Sequence, residues 1–328
     1  MKRNLVLLAL LAVLVALDLA TAPRTASRAA SGRVFAQLET DQVARIVVDA
    51  PGAEALAIER VEREGESVWV LPAQLDFQAD RWLVDTLLGS LERVAEADLV
   101  AEAPSDPADF GLAEGVGVRV RVLDAEGRSL ADYRQGEQLA RAGGIEGVYL
   151  TRSDGPAVYR APLVPRLAVD VESWLATRVA GLDLAGLRAL GLEVAGERTL
   201  PFERSVGGRW SGPTDDEAPE VALDRLATAT GELFLSGVVS DGVLPEHGFD
   251  PPRIVVELEL ADPIDEEQRQ VVRMAVGADV ERDDGVRVTY VTWSAWPRPW
   301  VVEVRSALLE RLFEAVLEVF AAAVLEDE

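Results

Sequence analysis

Cysteine is absent from the chain and histidine occurs once, at His247. The first absence removes disulfides, thiolate nucleophiles, zinc–thiolate sites and iron–sulfur clusters. The second excludes a histidine-rich metal centre and leaves any Ser-His-Asp arrangement resting on His247 alone. Basic residues are scarce as well: 32 Lys and Arg stand against 57 Asp and Glu, a formal net charge of -25. A surface of that sign repels nucleic-acid phosphates, so nucleic acid is excluded as a partner. The acidic runs at 215–217 and at Asp279, Glu281, Asp283 and Asp284 lack the glycine-punctuated spacing of a calcium loop. No metal or other cofactor is expected.

What is present is enough for two cores. At 328 residues with 49% hydrophobic content, the chain exceeds the usual size of one domain. It opens on Lys2-Arg3-Asn4, then an apolar run from Leu5 to Leu17, then Ala20-Thr21-Ala22-Pro23. That is the pattern of an export signal, and Pro23 is badly placed for cleavage after Ala22. A retained signal-anchor over 1–22 is therefore expected, with a single pass through the inner membrane and the soluble part periplasmic. Arg24, Arg28 and Arg33 nearly balance Lys2 and Arg3, so the charge count alone does not orient it. The Ala/Ser/Arg/Gly stretch over 23–37 reads as a flexible tether.

The rest of the chain is written twice. Short β-like runs at Val43–Val48, Ala55–Val61 and Val68–Leu71 read as an antiparallel meander, and Asp80 caps a predicted helix bearing Leu83, Leu87, Leu91 and Val94. Phe110-Gly111 then precedes Val116, Val118, Val120 and Val122, a strand buried on one face. Strands end near Gln135, at Val148–Thr151 and at Val158-Tyr159, and a helix is expected over Leu163–Val179. In the second copy Trp210 and Pro213 match Trp69 and Pro72 at an offset of 141, and Gly277 and Tyr290 match Gly136 and Tyr149 at the same offset. His247-Gly248 falls on Phe110-Gly111 at 137, and the alternating strand Ile254–Leu260 is matched at 138. About three extra residues then fall in the hairpin around Pro263–Glu267. The predicted fold is α+β, two tandem antiparallel-sheet-plus-helix modules over 38–180 and 181–328.

Three candidate features stand out. Trp293, Trp296 and Trp300 sit in a proline-punctuated stretch: either they cover the core at a hairpin tip, or they offer stacking faces to an envelope polymer such as a glycan. His247 aligns with Phe110, which favours a structural corner over a general base. The last helix, Ser306–Leu325, places Leu309, Leu312, Val316, Val319 and Ala323 on one face, to pack on its own sheet or dock on a neighbouring membrane component.

The basic start and anchor, Arg45-Ile46-Val47-Val48, Trp69 with Pro72 and Ala79-Asp80, Leu87-Leu88-Gly89-Ser90-Leu91, and Gly248-Phe249-Asp250-Pro251-Pro252 together resemble the domain-of-unknown-function family 4340. The resemblance covers most of the soluble chain. It implies a bacterial envelope protein whose relatives are commonly encoded near ABC-transporter components of the gliding-motility auxiliary type. No catalytic residues are defined for the family, so none carry over. Ala113-Glu114-Gly115 departs from the Pro-Pro pair usual at that corner. The expected function is a non-enzymatic, membrane-anchored binding or scaffold protein accessory to an ABC-transporter-type assembly. The alternative is a glycan-binding or weakly hydrolytic envelope protein working through Trp293–Trp300.

Overall fold

A computed structural model describes residues 34–35, 38–63, 65–141, 144–164, 167–176, 184–198, 201–205, 207–212, 219–261 and 269–324. The expected anchor over 1–22, most of the tether over 23–37, Pro213 and the hairpin at 263–267 lie outside these residues. Among the described residues no helix is long and apolar enough to cross a membrane.

The architecture is α+β, with two antiparallel sheets. The first contains β1 (Arg45–Asp49), β2 (Leu56–Arg63), β3 (Glu66–Leu71), β4 (Phe77–Gln78), β5 (Asp98–Ala101), β6 (Val118–Leu123), β7 (Ser129–Arg141), β8 (Gly144–Arg152) and β9 (Val158–Pro162). Their spatial order is β4-β3-β2-β1-β6-β7-β8-β9-β5. The second sheet contains β10 (Leu187–Val194), β11 (Glu197–Arg198), β12 (Phe202–Arg204), β13 (Trp210–Ser211), β14 (Gly237–Ser240), β15 (Ile254–Ala261), β16 (Arg269–Glu281), β17 (Arg287–Trp293) and β18 (Val301–Arg305). Its order is β13-β12-β10-β15-β16-β17-β18-β14, with β11 beside β10. Apart from β4 and β11, strand follows strand in the same sequence in both sheets.

The registers agree too. Ile46 faces Ile58 and Val122 as Leu190 faces Phe202 and Leu258. Gln135 faces Leu150 as Val276 faces Val291, and Leu150 faces Tyr159 as Val291 faces Val302. These pairings put Val122 on Leu258, an offset of 136 rather than the expected 138. Both offsets keep the same face inward, because side chains alternate with a period of two.

Alternation builds the core. Val118, Val120 and Val122 are buried while Arg119 is exposed, so one face of each sheet is apolar and takes the helices. Helix α1 (Arg81–Ala95) starts where Asp80 accepts the Leu83 amide at 3.0 Å, a side-chain cap. It buries Val84, Leu87, Leu91 and Val94 against the first sheet. In the second module α2 (Glu220–Gly231) packs beside α3 (Ser306–Val324). Leu309, Leu312, Val316 and Val319 of α3 are fully buried, so that face packs on its own module; the side chain of Ala323 is not described. Arg225 and Glu318 tie the two helices at 2.8 Å.

Two sequence expectations need correction. The helix expected over Leu163–Val179 is absent among the described residues of that stretch. Leu163 adopts φ 56, and the one helical piece is the short 3-10 turn Val171–Trp174, capped by Asp170 on the Ser173 amide. Pro162 and Pro165 bracket Leu163 and Val164, and the residue before each proline, Ala161 or Val164, is pushed out of the helical region. The tether, expected over 23–37, is packed at its described end. Val34 and Phe35 are buried, the Val34 amide donates to the Ala95 carbonyl at 2.6 Å, and Phe35 lies 5.8 Å from Tyr133.

Candidate functional site

The turn between β3 and β4 is bent by local backbone chemistry. Pro72–Gln74 forms a single 3-10 turn, and Leu75 and Asp76 follow in the left-handed region at φ 56 and 57. Non-glycine residues pay about 1–2 kcal/mol each for that conformation, so something outside the turn holds it. Arg63 donates to the Asp76 carbonyl at 2.7 Å. The rest comes from the other module.

There the hairpin joining β17 to β18 brings its tryptophans onto this turn. Trp300 donates its indole N–H to the Leu75 carbonyl at 3.1 Å. Phe77 meets Trp300 edge-on at 5.0 Å and Trp296 edge-on at 5.4 Å, the arrangement aromatic quadrupoles favour. Arg63 lies 5.4 Å over the Trp300 ring, and Arg298 lies 6.0 Å from it while reaching Asp76 at 3.6 Å. Burial and the neighbouring Arg298 lower the Arg63 pKa from its usual value. Beside this cluster Gln74 accepts the Val238 amide at 3.1 Å, covering the edge of β14. The buried apolar residues of both modules thus form one continuous cluster.

Of the three tryptophans singled out in sequence, Trp296 and Trp300 share this joint, and Trp293 ends β17. Trp293 and Trp300 are 2% and 1% exposed and Trp296 is half-buried. The indole faces of Trp293 and Trp300 are covered by protein. The Trp293 Nε1 is buried with no hydrogen-bond acceptor.

His247 occupies a corner that both modules build in the same way. Phe110 packs edge-on to Tyr149 at 4.9 Å, and His247 packs edge-on to Tyr290 at 5.1 Å. Gly111 and Gly248 close the turns at φ 67 and 71. Each turn lies so close to the long strand that a Cβ on Gly136 would sit 2.3 Å from the Phe110 carbonyl oxygen, and one on Gly277 2.1 Å from that of His247. His247 Nδ1 accepts the Leu244 amide at 3.0 Å, which leaves Nε2 to carry the proton of the neutral ring.

Sequence reasoning missed a cleft of about 380 Å³ in the first module, between the 104–112 segment and the β8–β9 hairpin. Pro104, Pro107 and Pro156 form apolar walls around Arg119, Arg134 and Arg152. Arg119 makes two bonds to Asp132, at 3.0 and 2.7 Å, and Ser153 donates to the same carboxylate. The bond from Arg119 lowers the Asp132 pKa against the opposing effect of burial. Arg152 is paired with Asp154 and donates to the Val34 carbonyl at 2.9 Å. Among the described residues Arg134 reaches only the Leu112 carbonyl, at 3.4 Å. The signal was in the strand register: Arg119 and Arg134 are direct partners across β6 and β7, which sequence order does not display.

Among the described residues no group of three or more acidic or histidine side chains is placed to hold a metal ion. No curated protein and no solved structure matches the chain. One family model does, over residues 69–252, from Trp69 on β3 of the first module to Pro252 ahead of β15 in the second. That is more than half of the sequence and crosses the joint, and by it the chain belongs to the family described as Domain of unknown function (DUF4340).

Proposed function

We propose that this protein is a non-catalytic binding and scaffold component of the cell envelope, accessory to an ABC-transporter-type assembly. Its N-terminal segment anchors it in the inner membrane and the two modules stand outside. They are tandem copies of one ancestral module, a reading supported by their shared strand order and by the paired Phe110–Gly136–Tyr149 and His247–Gly277–Tyr290 corners.

The observation that carries the scaffold reading is the joint. Trp300, Trp296 and Phe77 fix one module on the other through buried aromatic contacts. Tandem domains with small polar interfaces move by default; a large buried aromatic contact removes that freedom. Two modules fixed to each other on a membrane tether suit holding a partner at a set distance from a bilayer.

The test is photo-crosslinking of the full-length protein in native membranes, since Lys2 is the one lysine and amine-reactive reagents would reach little else. Transporter subunits among the crosslinked products are the expected result. Products free of any membrane transport component overturn the accessory role. Amino-terminal sequencing of the mature chain addresses the anchor separately: a chain starting at Pro23 or later has lost it.

A further inference from the structure

We infer that the arginine-lined cleft of the first module binds a carboxylate carried on a short apolar segment, that is, an acidic peptide. This inference stands apart from the scaffold reading, because it rests on the cleft and not on the joint.

The arginines are additions to a frame that does not need them. By strand register Arg119 corresponds to Val255, Arg134 to Ala275 and Arg152 to Trp293. The second module folds with apolar residues at all three places, so the first module's cations are not there to hold the sheet. Nor is Arg134 an accident of a loose surface. Its stem crosses Gly117, where a Cβ would fall 2.6 Å from the Arg134 Cγ. Glycine at 117 leaves the channel in which that side chain lies.

Local charge decides the ligand. Asp132 engages Arg119 and Asp154 engages Arg152, while no carboxylate of the described residues lies within ion-pairing distance of Arg134. One positive charge is left over, inside a chain whose net charge is -25. A single carboxylate matches one guanidinium and takes its planar fork. A dianionic phosphate would also face the Asp132 carboxylate, at a cost the site does not offset. The walls argue for a peptide rather than a bare ion, since Pro104, Pro107 and Pro156 offer apolar contact on both sides, as ligand pockets of this size do. Long-range repulsion from the acidic surface opposes the approach, so recognition depends on contact inside the cleft.

The test is calorimetric titration of the full chain in detergent with three probes: acetyl-Pro-Leu-Glu-Leu-amide, the same peptide with Gln for Glu, and inorganic phosphate. The Glu peptide is expected to bind, the Gln peptide at least tenfold more weakly, and phosphate more weakly than the Glu peptide. Arg134→Gln should weaken the Glu peptide tenfold or more, while Arg269→Gln, in the second module, leaves it unchanged. Equal binding of the Glu and Gln peptides overturns the inference without any variant. So does phosphate binding tighter than the Glu peptide, retained affinity in Arg134→Gln, or no binding of the Glu peptide at millimolar concentration.

Discussion

The β8–β9 and β17–β18 hairpins are one piece of backbone carrying two different sets of side chains. Thr151 donates to the Ala157 carbonyl at 2.9 Å and Thr292 to the Trp300 carbonyl at 2.9 Å. The Ser153 amide donates to the Asp132 carbonyl, and the Ser294 amide to the Arg273 carbonyl, at 3.1 and 2.9 Å. On that shared frame Ala157 stands where the other hairpin has Trp300, and Arg152 where it has Trp293. One hairpin closes the joint between the modules; the other borders an open cleft and takes the buried Phe35 against Arg152, 5.5 Å from the ring. The backbone hydrogen bonds set where a hairpin tip lies, and a few substitutions decide whether it seals or receives.

The sharpest way to break this comparison is to give the second hairpin the first one's residue. Trp300→Ala removes the side chain that contacts Phe77 and leaves the Leu75 carbonyl without its donor. Truncating a buried tryptophan costs about 4 kcal/mol. The modules should then uncouple, so that a single urea transition becomes two, followed by circular dichroism. One undivided transition in the variant would mean that the joint does not couple them.

The glycine corners come next, and here the modules should behave alike. Gly136→Ala and Gly277→Ala each push a methyl against a backbone carbonyl that has no room to yield. Overpacking of this kind costs about 3 kcal/mol. The two variants should lower stability by similar amounts in urea unfolding, and a difference of more than about twofold would mean that the corners are not equivalent.

How much of this the sequence displays depends on the range of the interaction that decides it. Helix α1 was legible because Asp80 and Leu87, Leu91 and Val94 lie within one local pattern. Strand identity was legible for Val118–Val122, yet its register was misplaced by two residues, since 136 and 138 keep the same alternation. The strand pairing resolves it: Val122 faces Ala131, nine positions on, whereas Leu258 faces Val272, fourteen on. The hairpin is thus longer by five residues, not three. The helix expected over Leu163–Val179 on its apolar spacing does not form among the described residues, where Pro162 and Pro165 interrupt its start. The tryptophan stretch was visible as an oddity, but its partner Phe77 lies in the other module, and no local pattern ties them. The arginine cleft was invisible for the same reason, its floor being assembled by cross-strand pairing of Arg119 and Arg134.

A smaller effect separates the corners themselves. His247→Phe would turn the second corner into the first, keeping an aromatic ring on Tyr290 but leaving the Leu244 amide without the Nδ1 acceptor. An unsatisfied, part-buried amide costs about 1 kcal/mol. Phe110→His, the reciprocal change, gains no such acceptor bond unless the preceding turn matches. Urea midpoints of the two single variants measure the asymmetry, and a neutral His247→Phe would show that the hydrogen bond contributes nothing.

The weakest expected effect is on pH dependence, and it has opposite signs in the two modules. The Asp132 pKa is lowered on folding, chiefly by its bond from Arg119. Its contribution is therefore present above the unfolded value, about 3.9, and is lost as pH falls through the lower folded value. Glu303 is the reverse case: burial raises its pKa, with Arg282 at 3.3 Å only partly offsetting this. The folded state then holds that proton more tightly than the unfolded chain does. Stability from this group is full below about pH 4.3 and falls as pH rises through the raised folded value. Asp132→Asn should lower the urea midpoint at pH 7 and converge with the native protein as pH falls through the lowered folded value. Glu303→Gln should raise the midpoint at pH 7 and bring no gain at pH 4. By strand register Glu303 stands where the first module has Arg160, which reaches Asp98 at 3.8 Å. The same position is thus a cation in one module and a half-buried carboxylate in the other, and parallel pH profiles for the two variants would contradict that reading of the second sheet.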